Sequence, residues 1–281
     1  MSAEILINVA PRETRAALLE GGVLQEVFVE RTSRRGLVGN IYKGRITRVL
    51  PGMQAAFIEV GLARSAFLHV NDIVSTDARF DAQSVAAVGV SGGPSGLPLP
   101  SSEESVDIRR LINPGADIVV QVVKDPMGAK GARLTTFISL PSRYLVFMPR
   151  GRGIGISSRI EDEAERQRLR EVMQALVGEG HSGGYIVRTA AEGVDASLLS
   201  TDCGYLGRLW SHVQERGLRA SPGELVHEDL PLALRVLRDE LCRGVERVLV
   251  DDADELARMQ QFVQDFVPTH ALRLEAYGGL R

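Results

Sequence analysis

Apolar positions alternate through short runs in the first half of the chain and take helical spacing mainly in the second. Residues 4–9 (EILINV), 14–20 (TRAALLE) and 22–30 (GVLQEVFVE) predict three strands joined by turns at Pro11-Arg12-Glu13 and Gly21-Gly22. Three more strands are predicted at 41–49 (IYKGRITRV), 55–60 (AAFIEV) and 64–70 (RSAFLHV), separated by Pro51-Gly52 and Gly61. Two further candidates are 117–125 (DIVVQVVKD) and 132–140 (ARLTTFISL). Between them, the Gly, Pro and Ser content of 84–105 predicts a poorly ordered surface loop. Five short strands with an irregular insertion after the third match a five-stranded OB-type barrel, with a sandwich as the structural alternative.

The pattern then changes. Strands are predicted at 144–148 and 154–160, followed by a helix over 161–177 whose acidic first turn suits the helix dipole. A strand at 185–189, a helix over 195–216, a short strand at 225–228, a helix over 232–243, a strand at 245–251 and a helix over 253–266 complete the order. A strand meander at the start and helix–strand–helix at the close is the element order of a ribonuclease-H-like fold. The fold class expected is therefore α+β and multidomain. A ribonuclease-H-like domain (1–35 and 232–281) is split by a barrel (36–136) and a second α+β domain (137–231).

Composition supports folding. Of 281 residues, 44% are hydrophobic and 25% charged, which excludes a disordered chain, and the length fits about two domains. No apolar run is long enough to span a membrane, and the start lacks the basic and apolar regions of a secretory signal. Cys203 and Cys242 form no CxxC pair, which argues against a zinc ribbon or disulfide framework and favours a reducing cytoplasm.

The net charge of −3 excludes a globally basic nucleic-acid binder, but the charge is unevenly placed. Segment 31–48 has six Lys or Arg and no acid, and 124–159 has seven against Asp125 alone. Segment 221–255 has ten acids against four arginines. Such segregation fits a polyanion-binding face, or solvated strands and loops. Phe57 and Phe67 sit mid-strand near Lys43, Arg45 and Arg48. The residues alone allow two readings: the rings fill the barrel, or they stack on single-stranded nucleic acid. The acids Asp251, Asp252 and Asp254 are accounted for by helix capping. The first strand, ILINV, carries no acid for hydrolytic chemistry.

Three long segments resemble the ribonuclease E/G family: NIYKGRITRVLPGMQAAFIEVGLARSAFLHV (40–70), VKDPMGAKGARLTTFISLPSRYLVFMP (123–149) and GGYIVRTAAEGV (183–194). The resemblance runs over the chain apart from 84–105. It implies a cytoplasmic, single-strand-specific endoribonuclease that processes ribosomal RNA precursors and degrades messenger RNA, with a preference for 5′-monophosphorylated RNA. It makes 137–231 a 5′-sensor and 1–35 with 232–281 a structural support. It also implies a magnesium-dependent DNase-I-like catalytic domain, a possible zinc link and homo-oligomerisation in the full-length protein, all outside these residues. The 281-residue chain alone is therefore expected to be inactive; a standalone RNA-binding regulatory module is the alternative.

Residue by residue, the resemblance assigns the RNA 5′-monophosphate to Arg188, Thr189, Val146 and Ser142, the last through a free backbone amide. It places Ser158, beside the retained Arg159, where some relatives carry arginine. It assigns base stacking in the barrel to Phe57 and Phe67, with Lys124 and Lys130 on the same RNA-facing side. It leaves Lys43 open.

Overall fold

A computed structural model describes residues 3–73, 80–82, 107–178, 182–240, 245–266 and 273–279. The expected loop at 84–105 and Cys242 lie outside the described residues. In chain order the strands are β1 (Ala3–Ala10), β2 (Glu13–Glu20), β3 (Val23–Arg31), β4 (Ile41–Leu50), β5 (Ala55–Glu59), β6 (Ala66–His69), β7 (Phe80–Asp81), β8 (Asp117–Lys124) and β9 (Arg133–Thr135). There follow β10 (Leu140–Pro141), β11 (Leu145–Met148), β12 (Gly151–Arg152), β13 (Ile154–Ile156), β14 (Gly184–Val187), β15 (Leu225–His227), β16 (Val245–Val250) and β17 (Arg273–Ala276). The α-helices among the described residues are α1 (Glu163–Val177), α2 (Ala196–Arg219), α3 (Leu232–Glu240) and α4 (Ala253–Phe266).

The chain forms two compact units, Met1–Gly36 with Leu230–Arg281, and Leu37–Asp229. In the first, a five-stranded sheet has the order β17-β16-β1-β2-β3. The β1–β2–β3 meander is antiparallel, whereas β16 runs parallel to β1 and β17 parallel to β16. Register aligns Val248, Ile5 and Leu18 in one row and Val250, Ile7 and Ala16 in the next. All six are buried, and α3 and α4 pack against this sheet. The period-2 pattern of β1 and β2 thus puts one face into a core. Asp252 accepts the Glu255 N–H at 2.9 Å, the expected cap, and Asp251 accepts the Val9 N–H at 2.9 Å, tying β1 to the end of β16.

In the second unit, β4-β5-β6-β9-β8 closes into a barrel because β8 also pairs with β4. The neighbours are antiparallel except β6 and β9. Ile46, Ile58, Leu68, Val120, Val122 and Leu134 fill the interior. The barrel alternative therefore stands over the sandwich. β15 adds to β4 as a further antiparallel strand. A separate four-stranded sheet has the order β10-β11-β14-β13, with α1 against β13 and α2 against β10 and β11.

Three expectations change. The strand expected over 132–140 breaks into β9 and β10. The chain leaves the ladder after Thr135: the Thr135 and Thr136 hydroxyls both donate to the Asp72 carbonyl (3.1 and 3.3 Å), and Thr135 Oγ1 accepts the Phe137 N–H at 3.0 Å. The strand expected over 154–160 stops at Ile156, because the Ile160 N–H turns back to the Ser157 carbonyl at 3.2 Å. β17, which no pattern announced, is mostly exposed and so carries little apolar alternation.

Candidate nucleic-acid interface

The barrel separates the two readings of the phenylalanines. Along β5 and β6, Ala56, Ile58, Ala66 and Leu68 point inward and have no exposed surface. Phe57 and Phe67 occupy the intervening positions, so strand alternation turns both rings outward, where they are half-buried. They are direct cross-strand partners, with centroids 6.3 Å apart and planes at 70°.

Register extends this pair into a row across the sheet. Arg48 pairs with Phe57, Phe67 with Arg133, and Arg133 with Lys124. Arg48, Phe57, Phe67, Lys124, Lys130 and Arg133 line one groove of about 870 Å3. Two exposed thioethers, Met53 and Met127, line the same groove. The four barrel residues expected from the sequence are therefore brought together. Lys43 does not line this groove; its backbone is bonded to Gly223 and Glu224.

The groove is braced from below. Arg133 donates to the buried Asp72 carboxylate through Nε at 3.0 Å and Nη2 at 2.9 Å. Burial raises the Asp72 pKa, and the Arg133 guanidinium opposes that rise. Lys130 lies on a two-residue turn closed by reciprocal bonds with Met127. Gly131 follows it, where a Cβ would come within 2.1 Å of the Ser65 carbonyl oxygen, so only glycine lets this hairpin approach β6. Between β4 and β5, Gln54 adopts a left-handed conformation (φ 49°). Its side-chain oxygen accepts the Ile108 N–H at 3.0 Å, and its carbonyl accepts the Val70 N–H at 2.8 Å. The PGMQ turn is thus a fixed wall beside Met53.

The second candidate surface lies at one edge of the four-stranded sheet. β13 and β14 run parallel and β11 antiparallel to β14, with Ile156, Val187 and Leu145 in register. The residues after β13 and β14 and those before β11 therefore meet at the same edge. That geometry gathers Ser142 and Arg143, Ser158 and Arg159, and Arg188 and Thr189. Thr189 and Arg159 are exposed, and Arg188 is half-buried. The Arg188 N–H donates to the Tyr144 carbonyl at 2.8 Å, and its Nη1 to the Ser142 carbonyl at 2.6 Å. Val146 is buried on β11 opposite Ile186.

Ser142 requires a correction. Its backbone amide is not free: it donates to the Leu145 carbonyl at 2.8 Å, and the residue has no exposed surface. Its hydroxyl donates to the buried Asp202 carboxylate at 2.5 Å. The Leu145 carbonyl and the Asp202 carboxylate take both donors, leaving Ser142 to shape the edge from within.

The VRTAAEGV segment is pinned to α1. Glu165 accepts the Gly193 N–H at 2.8 Å, and Arg168 donates to the Val194 carbonyl at 3.1 Å. The Arg168 guanidinium beside Glu165 holds its carboxyl down to about 2. Sequence reasoning missed Asp202, Glu165 and Arg168, whose partners on the edge segments (Ser142, Gly193 and Val194) lie 26 to 60 residues away. Burial pushes the Cys203 thiol up to about 12, helped by Asp202, so it is not a poised nucleophile.

Among the described residues no three His, Cys, Asp or Glu side chains gather where they could hold a metal ion. No helix among them is long and apolar enough to cross a membrane.

A closed barrel with an aromatic, basic outer groove defines the class: a mixed α+β protein built around a five-stranded β-barrel. The Ribonuclease E/G family profile matches residues 139–280, and the chain belongs to that family. It is 46% identical over 279 residues to Ribonuclease G of Escherichia coli K12, covering 99% of this chain and 54% of that protein. It is 43% identical to Ribonuclease G of Haemophilus influenzae, over 99% of this chain and 53% of the relative. Against Ribonuclease E of Nostoc the identity is 33%, over 92% of this chain and 34% of the relative. The chain thus spans about half the length of these Ribonuclease G relatives.

Proposed function

We propose that this chain is the RNA-binding, 5′-end-sensing part of a single-strand-specific endoribonuclease that processes ribosomal RNA precursors and degrades messenger RNA. The observation that carries the reading is the register row Arg48, Phe57, Phe67, Arg133 and Lys124 on one outward face. Outward phenylalanines offer stacking surfaces of about 1–3 kcal/mol per base, without regard to sequence. The cations beside them add a salt-sensitive attraction to phosphates. A duplex hides its base faces, so such a groove favours unpaired strands. The barrel's strand order, in which the third and fifth strands pair in parallel, supports the OB-type assignment.

The sheet edge that gathers Arg188, Thr189 and Arg159 takes the 5′-monophosphate in this reading. A guanidinium grips a phosphate through paired charge-assisted bonds, and the threonine hydroxyl adds another. Val146, buried behind the edge, supports the terminal nucleotide through the backbone of β11. The order of the first unit's sheet, with parallel strands added beside an antiparallel meander, supports a ribonuclease-H-like scaffold. Magnesium-dependent cleavage, a zinc link and homo-oligomerisation belong to other parts of a longer protein.

Incubation of the 281-residue chain with a 5′-monophosphorylated single strand and magnesium tests this division. We expect binding without cleavage, and weaker binding of the matching duplex. Equal affinity for duplex and single strand overturns the groove assignment. Cleavage that tracks the pure protein and is lost with chelator overturns the placement of catalysis elsewhere.

A further inference from the structure

The geometry assigns Asp202 as a positioning residue for the 5′-phosphate edge, acting through the backbone of residues 142–144. The inference rests on the reading of that edge as a 5′-end site. Asp202 lies on α2, 60 residues from Ser142 in sequence, and is 4% exposed. A single oxygen, Oδ2, accepts both the Ser142 hydroxyl at 2.5 Å and the Tyr144 N–H at 2.8 Å. Ser142 Oγ in turn accepts the Leu145 N–H at 3.2 Å, and the Ser142 N–H donates to the Leu145 carbonyl at 2.8 Å. The turn is closed by its own bonds and fastened to the helix through one carboxylate oxygen.

Its carbonyls do the outward work. Those of Ser142 and Arg143 receive Arg188 Nη1 at 2.6 and 3.4 Å, and that of Tyr144 receives the Arg188 N–H at 2.8 Å. Arg188 is therefore oriented, in side chain and backbone, by the same three residues that Asp202 holds. Burying a carboxylate is costly, and an apolar residue at this point of α2 would pack without that cost. What packing alone does not supply is a directional acceptor for a main-chain N–H. Sites whose supporting groups are loose lose the geometry that gives specificity before they lose their contacts. Asp202 therefore governs how well the edge tells a phosphate from a hydroxyl, and has no part in binding along the barrel groove.

The test compares affinities for two otherwise identical single-stranded RNA oligonucleotides, one with a 5′-monophosphate and one with a 5′-hydroxyl. The wild-type ratio is expected at about 5–30-fold. Asp202→Ala should cut that ratio at least about threefold while hydroxyl-ended affinity stays within about twofold, because the groove is untouched. Asp202→Asn, whose amide oxygen still accepts both donors, should restore part of the ratio. If Asp202→Ala does not fold, Ser142→Ala takes its place and should lower the ratio by a smaller factor. A wild type that discriminates, with an unchanged ratio in Asp202→Ala or in its Ser142→Ala replacement, overturns the inference. A wild type that binds both ends equally overturns the end-site reading instead.

Discussion

The barrel groove and the sheet edge are assembled by opposite means. In the groove, Phe57, Phe67, Lys124 and Arg133 project directly from neighbouring strands, and pairing register alone puts them in a row. At the edge, the residues come from three separate segments. The central one, Arg188, is held by backbone carbonyls that a buried Ser142–Asp202 pair sets in place. A row built on register tolerates the loss of any one side chain. An edge built on a network depends on residues that touch no ligand. The groove should thus supply most of the affinity, insensitive to the RNA end, while the edge supplies a smaller, end-specific increment.

The sharpest break between inside and outside is at adjacent residues of β6. Leu68 is fully buried in the barrel core, whereas Phe67 faces the groove. Leu68→Ala should lower stability by about 2–5 kcal/mol, measured by urea unfolding. Phe67→Ala should lower it far less.

A pH effect separates the barrel's added strand from its groove. His227 on β15 is held down to about 4 by burial, with His212 and Arg216 adding like-charge repulsion. The unfolded chain, with an ordinary histidine pKa, therefore binds the proton first as pH falls. Stability should be full above about pH 6.5 and fall by at most about 3 kcal/mol on the way to pH 4. His227→Gln should flatten that slope in melting curves recorded between those limits; an unchanged slope assigns it to other groups.

Next in size is stacking. Phe57→Ala and Phe67→Ala should each weaken single-stranded RNA binding by about 1–3 kcal/mol by fluorescence anisotropy. The preference for a 5′-monophosphate should persist in both variants. If that preference disappears with the rings, the groove and edge are not independent.

The two regions also differed in how far the residues announced them. Alternation in AAFIEV and RSAFLHV gave the strands of the groove. Yet a phenylalanine between apolar neighbours carries no polar marker, so the pattern left the direction of Phe57 and Phe67 open; the resemblance marked both rings for stacking, and the closed barrel turns them outward. At the edge, the family resemblance marked Arg188 and Thr189, but not the network behind them. Ser142 and Asp202 are small polar residues 60 positions apart, and nothing local tells a buried pair from two surface residues. The break at Thr135–Thr136 was hidden for a related reason: β-branched threonines read as strand until their hydroxyls find Asp72.

The most direct measurement compares single-stranded RNAs ending in 5′-hydroxyl, monophosphate and triphosphate, bound to wild type and to Arg188→Ala. The monophosphate should bind the wild type about 5–30-fold more tightly than the other two ends. Arg188→Ala should erase that difference and leave hydroxyl-ended binding nearly unchanged, because the barrel groove is intact. Equal affinities for all three ends in the wild type would contradict the account.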